Sequence, residues 1–447
     1  VIELNKSPRN YQETYFKKLL EDKRHFFDWG LATGKTYIGI WLTKYLRQTE
    51  GARVLITYPS NVYRQWMNEF KKLANMEVFP LQGTKKQWLS LFDGRVHLVS
   101  HEALARRLEE HSLINYDAII VDEVHRVKNW KSKVSIWADE QNFEYRVVLT
   151  GTKVNNGCTD MFSQYRIVDS SIFGKNYWKF VNKYFVNVGR GKFPIWRAKL
   201  GAEAVMKARA SKITSTIKTK DVLSWLPEKT YKLKVFKMPA AQKKVYDKFV
   251  AYGKEFMKAQ AAGEYCRIKD EEFDVTIKTE EVLKQKLLQI SKGFIYNNKG
   301  LAVRLVKKTE RQKELESILG WKEKTAIFYQ YKEDLTRIKE VCKQHTHDWE
   351  VFQNTDMPVF ITQMSSGTLG IELYKATIGV FYTYDFNRGN MEQAEGRLQR
   401  EGQTGATFIK FMVRDTYEEY VEMSLNRKNN LSERMEYNSF QQFLEEA

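Results

Sequence analysis

Three stretches of this chain carry residue types that could do chemistry together: Gly34-Lys35-Thr36, Asp122-Glu123 and Gln393-Ala-Glu-Gly-Arg397-Leu-Gln-Arg400. The first closes the run Phe26-Phe-Asp-Trp-Gly-Leu-Ala-Thr-Gly-Lys-Thr36, in which Gly30, Ala32, Thr33 and Gly34 form a small-residue loop ahead of a helical pattern starting at Tyr37. Backbone amides of such a loop at a helix N-terminus hold phosphate oxygens. A lysine at the place of Lys35 reaches the terminal phosphates, and a hydroxyl at the place of Thr36 holds Mg2+. The strict Gly-x4-Gly-Lys-Thr spacing fails: Trp29 stands where the first Gly belongs, Gly30 follows one place later, and Ala32 fills a position that is often Gly.

Asp122 and Glu123 directly follow the apolar run Ala118-Ile-Ile-Val121. Asp122 would hold Mg2+ through its waters, and Glu123 would orient or deprotonate an attacking water. An acidic pair ending a strand also serves as a plain helix cap, but its place after a phosphate loop favours catalysis. Gln393, Arg397 and Arg400 fall at i, i+4 and i+7 and so share one helix face. The fixed fork of arginine suits phosphate oxygens and the charge that develops during phosphoryl transfer. In this order, phosphate loop, acidic pair and distant arginine helix are the parts of a two-lobed site for ATP and Mg2+.

The elements that must position these residues alternate between strand and helix. Arg53–Tyr58, His97–Ser100, Ala118–Val121 and Arg146–Leu149 are short apolar runs, with helical patterns such as Tyr63–Leu73 between them. The pattern resumes at Thr325–Tyr329, Pro358–Thr362, Ile378–Tyr382 and Thr407–Met412. Alternation of this kind predicts an α/β fold of two tandem parallel-sheet lobes, whose ligands gather beyond the carboxyl ends of the strands. The second lobe has no phosphate loop and would complete a site built on the first. The expected lobes are residues 1–225, with an insertion at about 155–220, and 226–447, with a helical insertion at about 239–300. The stretch from about Asn155 to Asn298 reads as a helix-rich, Lys-rich link between them.

A chain of 447 residues suits two domains. It has no run of eighteen apolar residues and no charged-then-apolar leader, so a non-secreted, cytoplasmic protein is expected. Cys158, Cys266 and Cys342 are few and scattered, which fits neither a disulfide framework nor a zinc site, and His345 with His347 has no metal-ligand partners beside it. The formal charge of +18 points to a polyanion, by default nucleic acid, and 14% aromatic residues suit base stacking.

Beyond these local features, Asp122-Glu-Val-His-Arg-Val-Lys-Asn129 and Leu149-Thr-Gly-Thr152 resemble motifs II and III of superfamily 2 helicases in their Snf2-type form. The resemblance spans essentially the whole chain and implies two RecA-like lobes. Pro8-Arg-Asn-Tyr-Gln12 is similar to the element whose glutamine contacts adenine, which assigns that role to Gln12. Tyr58-Pro-Ser-Asn-Val-Tyr-Arg-Gln-Trp66 looks like motif Ia, so Pro59, Ser60, Asn61 and Arg64 become nucleic-acid contacts, with Ser100 and His101 where motif Ib stands. Gln363-Met-Ser-Ser-Gly-Thr-Leu-Gly-Ile-Glu-Leu373 resembles motif V: Met364, Ser365 and Ser366 would touch DNA, with Gln330, while Gly370 couples to ATP. The Gln393–Gln403 segment is close to motif VI, a resemblance that makes Arg400 the arginine finger and Arg397 a second phosphate ligand.

Two departures stand out. The family usually has Pro after Thr-Gly-Thr, whereas this chain has Lys153, which either weakens the turn or adds a phosphate contact. Paired arginines normally precede the segment like Val222–Lys229, and here Ile217-Lys-Thr-Lys220 stands instead. Tyr184–Trp196 reads as two short β-runs around Gly189-Arg-Gly-Lys192. Its Arg190, Lys192, Phe193 and Trp196 are either a strand-separating wedge or a small structural hairpin.

In size and motif style the chain is similar to phage-encoded helicases. The resemblance implies a monomeric, ATP- and Mg2+-dependent DNA translocase acting on branched DNA, a fork or a four-way junction, in the host cytoplasm if phage-encoded. The alternatives are a remover of proteins from DNA that does not separate strands, an RNA helicase and, least favoured, a non-catalytic DNA-binding scaffold.

Overall fold

In this computed structural model the chain divides into two compact units, Val1–Trp225 and Leu226–Ala447. The structure describes residues 4–83, 95–151, 158–188, 196–223, 225–226, 228–264, 266–364, 371–384, 388–399, 403, 405–427, 440 and 443–444.

In the first unit the apolar runs become strands β1 (Arg24–Trp29), β2 (Val54–Tyr58), β3 (Phe79–Pro80), β4 (Val96–Ser100), β5 (Ala118–Val121) and β6 (Tyr145–Thr150). A hairpin of β7 (Phe185–Asn187) and β8 (Trp196–Ala198) follows, then β9 (Thr214–Ile217). Seven of these strands form one sheet in the order β3-β4-β2-β5-β6-β1-β9, parallel throughout. Every residue of β2, β5 and β6 is buried, because helices cover both faces of the sheet. That is why they read as unbroken apolar runs and not as alternating ones. The chain passes from β1 to β2 across the places that β5 and β6 later fill, which leaves a crevice beyond the carboxyl ends of the central strands. Helices α1 (Asn10–Asp22), α2 (Lys35–Thr49) and α3 (Tyr63–Leu73) flank it. α3 buries Trp66, Phe70 and Leu73, a single stripe at helical spacing.

The second unit contains β10 (Lys229–Phe236), the hairpins β11 (Ile268–Asp270)–β12 (Val275–Ile277) and β13 (Phe294–Tyr296)–β14 (Ala302–Arg304), then β15 (Thr325–Tyr329), β16 (Val359–Gln363), β17 (Ile378–Phe381) and β18 (Ala406–Val413). Its main sheet runs β10-β18-β17-β15-β16, again parallel. The helices Ala240–Ala261 and Glu280–Ser291 sit between β10 and β15 in sequence and bury Tyr246, Phe249, Leu283 and Leu287 in one core with the sheet. Each unit is therefore a parallel sheet covered by helices, an α/β fold.

Two strands escape the sequence reading. β9 lies in the stretch assigned to an insertion, yet it joins the main sheet beside β1, and β10 lies in the stretch read as a helical link. Both are edge strands, and β10 is largely exposed, so Lys and Thr interrupt the apolar run that identifies a central strand. Among the described residues no helix is long and apolar enough to cross a membrane.

Candidate active site

Parallel pairing brings the chemically interesting residues to one edge of the first sheet. β1 lies beside β6, with Asp28 opposite Thr150, and β6 lies beside β5, with Val148 opposite Val121. The loop after β1, the Asp122-Glu123 pair after β5 and Gly151 after β6 thus emerge side by side.

The loop 30–34 is shaped by its neighbours. Ala32 and Gly34 both have left-handed backbone, φ 61° and 84°, and this alternation turns successive amides inward to form an anion-binding concavity. Gly34 is further required because a Cβ there would meet Gln12 Nε2 at 2.3 Å. The Lys35 ammonium donates to the carbonyls of Trp29 at 2.8 Å and Gly30 at 3.0 Å, so it stands within the loop it is expected to serve. Thr36 follows it in the first turn of α2. Thr33 closes the loop through Oγ1, which donates to the Gly30 carbonyl at 2.7 Å.

The displaced glycine has a physical reason. Trp29, in place of the usual first Gly, is fully buried, and its Nε1 donates to Ser215 Oγ on β9 at 2.8 Å. Tyr11 and Tyr15 of α1 meet its ring edge-on at 5.5 and 5.6 Å. Gly30 in turn faces the chain leaving β9: a Cβ there would lie 2.4 Å from Thr219 Oγ1 and 2.8 Å from its backbone nitrogen. The Gly30 amide donates to Ile217 O at 2.7 Å, and Thr219 Oγ1 donates to Leu31 O at 2.8 Å. Ile217-Lys-Thr-Lys220 therefore docks on the loop, with Lys218 and Lys220 exposed.

Asp122 is buried and held from two sides. Its Oδ2 accepts from Trp66 Nε1 at 3.0 Å and its Oδ1 from the Glu123 amide at 2.9 Å. Burial, and then the adjacent Glu123 carboxylate, raise its pKa above the ordinary carboxylate range, while the Trp66 bond and the Lys35 cation offset part of that rise. Glu123 has left-handed backbone, φ 47°, a strained conformation of the sort that collects at functional sites. His125 Nδ1 lies 3.2 Å from its carboxylate.

Gln12 is buried against the loop, where its Oε1 accepts from the Arg9 amide at 2.8 Å and its Nε2 donates to Thr33 O at 3.2 Å. Tyr11 Oη donates to the same carbonyl at 2.7 Å, a contact that sequence reasoning missed. Of the residues read as nucleic-acid contacts, Ser60, Asn61 and Arg64 are exposed and Pro59 is buried. Ser100 caps a short helix by accepting from the Ala103 amide at 3.2 Å.

His101 does not reach the surface. Its Nδ1 bonds Thr57 Oγ1 at 2.9 Å, its Nε2 bonds the Asp122 carbonyl at 2.8 Å, and burial pushes its pKa down to about 4. Both ring nitrogens are committed inside the lobe, so a backbone contact to nucleic acid is corrected to a brace under the Asp122-Glu123 turn. The Met364 side chain is buried in the core of the second unit, which leaves its backbone for the contact expected of that segment. Gln330 lies beside it, its carbonyl accepting from Gln363 Nε2 at 2.9 Å.

In the second unit Gln393 and Arg397 sit on the helix Arg388–Leu398 and are buried. Glu395 of the same helix accepts from Lys229 Nζ at 2.7 Å and Tyr231 Oη at 2.8 Å, pinning the helix to β10. Arg400, Gly370, Ser365, Ser366, Lys153, Arg190, Lys192 and Phe193 lie outside the described residues. β7 and β8 do pair, with Asn187 opposite Trp196. Trp196 itself is partly buried against the core of the first unit, as in a structural hairpin and unlike a tip.

The SNF2-related domain family matches residues 28–289 of this chain. The DNA repair and recombination protein RAD54-like of Danio rerio is 23% identical over 444 residues, covering 85% of this chain and 58% of that protein. RAD54B of Gallus gallus is 23% identical over 439 residues, covering 85% and 47%. The chain thus spans about half the length of the curated relatives it matches. Among solved structures, the Sulfolobus solfataricus SWI2/SNF2 ATPase core in complex with dsDNA aligns with 97% of this chain and 94% of that one, at 20% identity and a TM-score of 0.48. With more than half of its length matched by that family, this chain belongs to the SNF2-related domain family.

Proposed function

We propose that this chain is an ATP-dependent motor that moves along DNA, with forks or four-way junctions as its substrates. The observation that carries the reading is the convergence of the Lys35 loop with Asp122 and Glu123 at neighbouring strand ends of one sheet. The residues fit the nucleotide: the loop offers inward amides and an ammonium to phosphates, and Thr36 with Asp122 offers oxygen ligands to Mg2+. Mg2+, when bound, would neutralise charge that develops on the phosphates. Glu123 then orients or deprotonates the attacking water. By their resemblance to motif VI, Arg397 is the proposed second phosphate ligand and Arg400 the proposed finger.

The DNA substrate is supported by the similarity to DNA repair and recombination proteins and by the +18 formal charge. The exposed Ser60, Asn61 and Arg64 at the end of β2 are the proposed backbone contacts.

The test is ATP hydrolysis measured without nucleic acid and with single-stranded, duplex, forked and four-way DNA and with RNA, beside strand separation on the forks. DNA stimulation that is largest on branched molecules supports the reading. Stronger stimulation by RNA, or none by any nucleic acid, overturns it.

A further inference from the structure

One face of the first unit carries a ring cluster at the margin of its core: Trp130, Tyr177 and Trp196 pack partly against that core, and Trp178 stands outside it. Trp130 lies flat on Tyr177, with centroids 4.7 Å apart and planes 2° from parallel. Trp178 meets Trp130 edge-on at 5.8 Å and Tyr177 at 5.3 Å, and Trp196 stands 6.4 Å from Trp178. Trp178 is 50% exposed, although rings of this size are highly buried on average.

The cluster is braced from behind. Arg166 Nη2 donates to the Trp130 carbonyl at 2.9 Å and its Nε to Ser135 Oγ at 3.0 Å. Phe162 meets Tyr177 edge-on at 5.4 Å from the core side. Asn176 caps the helix Tyr177–Tyr184 by accepting from the Lys179 amide at 3.0 Å. A flat ligand would therefore find the rings already ordered, which removes part of the entropy cost of binding.

The charge around the rings selects the ligand. From Asp169 to Glu203 the intervening chain carries seven lysines and arginines and no carboxylate side chain. Lys131 Nζ sits 5.0 Å from the centre of the Trp130 ring, and exposed Lys179 follows Trp178 directly. Lys175 lies 3.6 Å from Asp139, but its side chain is 75% exposed, so the pairing leaves its field largely to solvent. A half-open indole beside the exposed Lys131 and Lys179 complements a group with one flat face and one negative charge. An unpaired nucleotide has both; a base pair within a duplex hides its faces in the stack.

We infer that Trp178, backed by Trp130 and Tyr177, is a stacking platform for an unpaired base, with Lys131 and Lys179 on the flanking phosphates. The inference rests on the motor reading only for the class of polymer involved. It adds a place where a displaced single strand is gripped, apart from the ATP site.

The probes are an oligothymidylate and a blunt duplex, titrated by anisotropy against the wild-type chain and against Trp178→Ala, Trp178→Phe and Lys179→Ala. Trp178→Ala is expected to weaken oligothymidylate binding roughly ten-fold. Duplex affinity and melting temperature should stay at wild-type values, and Trp178→Phe should keep most of the single-strand affinity. Lys179→Ala should lower the salt slope by about one. Unchanged oligothymidylate affinity in Trp178→Ala overturns the platform and leaves this face to a protein partner. An equal loss on duplex and single strand also overturns it. A wild-type chain whose ATP hydrolysis ignores DNA would sink the motor reading and leave these titrations intact.

Discussion

Trp66 Nε1 donates to Asp122 Oδ2 at 3.0 Å, tying the helix after β2 to the acidic end of β5. The bond favours the ionised carboxylate, against burial and the Glu123 charge. α3, which begins within the Tyr58–Trp66 segment, therefore reaches the carboxyl end of β5 through one hydrogen bond.

Trp66→Phe keeps an aromatic ring in the core and removes only the donor. Asp122 has a raised pKa, so hydrolysis falls as pH falls through it. Losing a bond to the charged form raises the pKa further, and the acid limb of the kcat profile should move to higher pH. An acid limb that stays in place in a folded variant would show that the bond does not control the carboxylate.

Lys35→Ala should abolish ATP turnover and leave DNA affinity close to wild type, because the proposed DNA contacts lie on other loops. The ammonium donates to two carbonyls of its own loop, Trp29 O and Gly30 O. Normal turnover would remove the nucleotide site from this loop.

Gly30→Ala places a Cβ against Thr219 Oγ1 and its backbone nitrogen, and backbone cannot yield as a side chain can. Overpacking of this kind costs about 1–3 kcal/mol, so a lowered melting temperature and weaker nucleotide binding are expected together. Wild-type values of both would mean that the β9 end does not press on the loop.

Burial lowers the pKa of His25 and His101 to about 4 and that of His111 to about 3. Each is neutral when folded and takes up a proton on unfolding below its ordinary value. Their contribution to stability is complete above pH ~6.5 and is lost as pH falls toward those depressed values. Each such proton steepens the loss by about 1.4 kcal/mol per pH unit. Denaturant titrations at pH 7 and pH 5 should show the drop, and His25→Gln should make it shallower. A flat response would mean that these rings are protonated in the folded chain.

DNA affinity should fall steeply with added salt, since each backbone phosphate contact releases condensed counterions. A shallow slope across a salt titration would assign the +18 charge to another partner.

The amino-acid sequence alone determined the parts whose signal is local. Lys35 and Thr36 after a small-residue loop, Asp122-Glu123 after a buried run, and strands such as Ala118–Val121 depend on spacing and periodicity within a few residues. The tertiary structure decided what depends on strand order. Trp66 is 56 residues from Asp122, and it reaches the carboxylate because β2 lies directly beside β5. His101 became a brace because β4 ends on the other side of β2, turning its ring inward under Asp122, and no local pattern separates that from a surface histidine. Trp29 in place of the expected glycine is explained by Ser215 on β9, 186 residues away. Spacing shows which residues share a face or a loop. The partner each finds across the sheet is set by the register of strands far apart in the chain, which local periodicity does not encode.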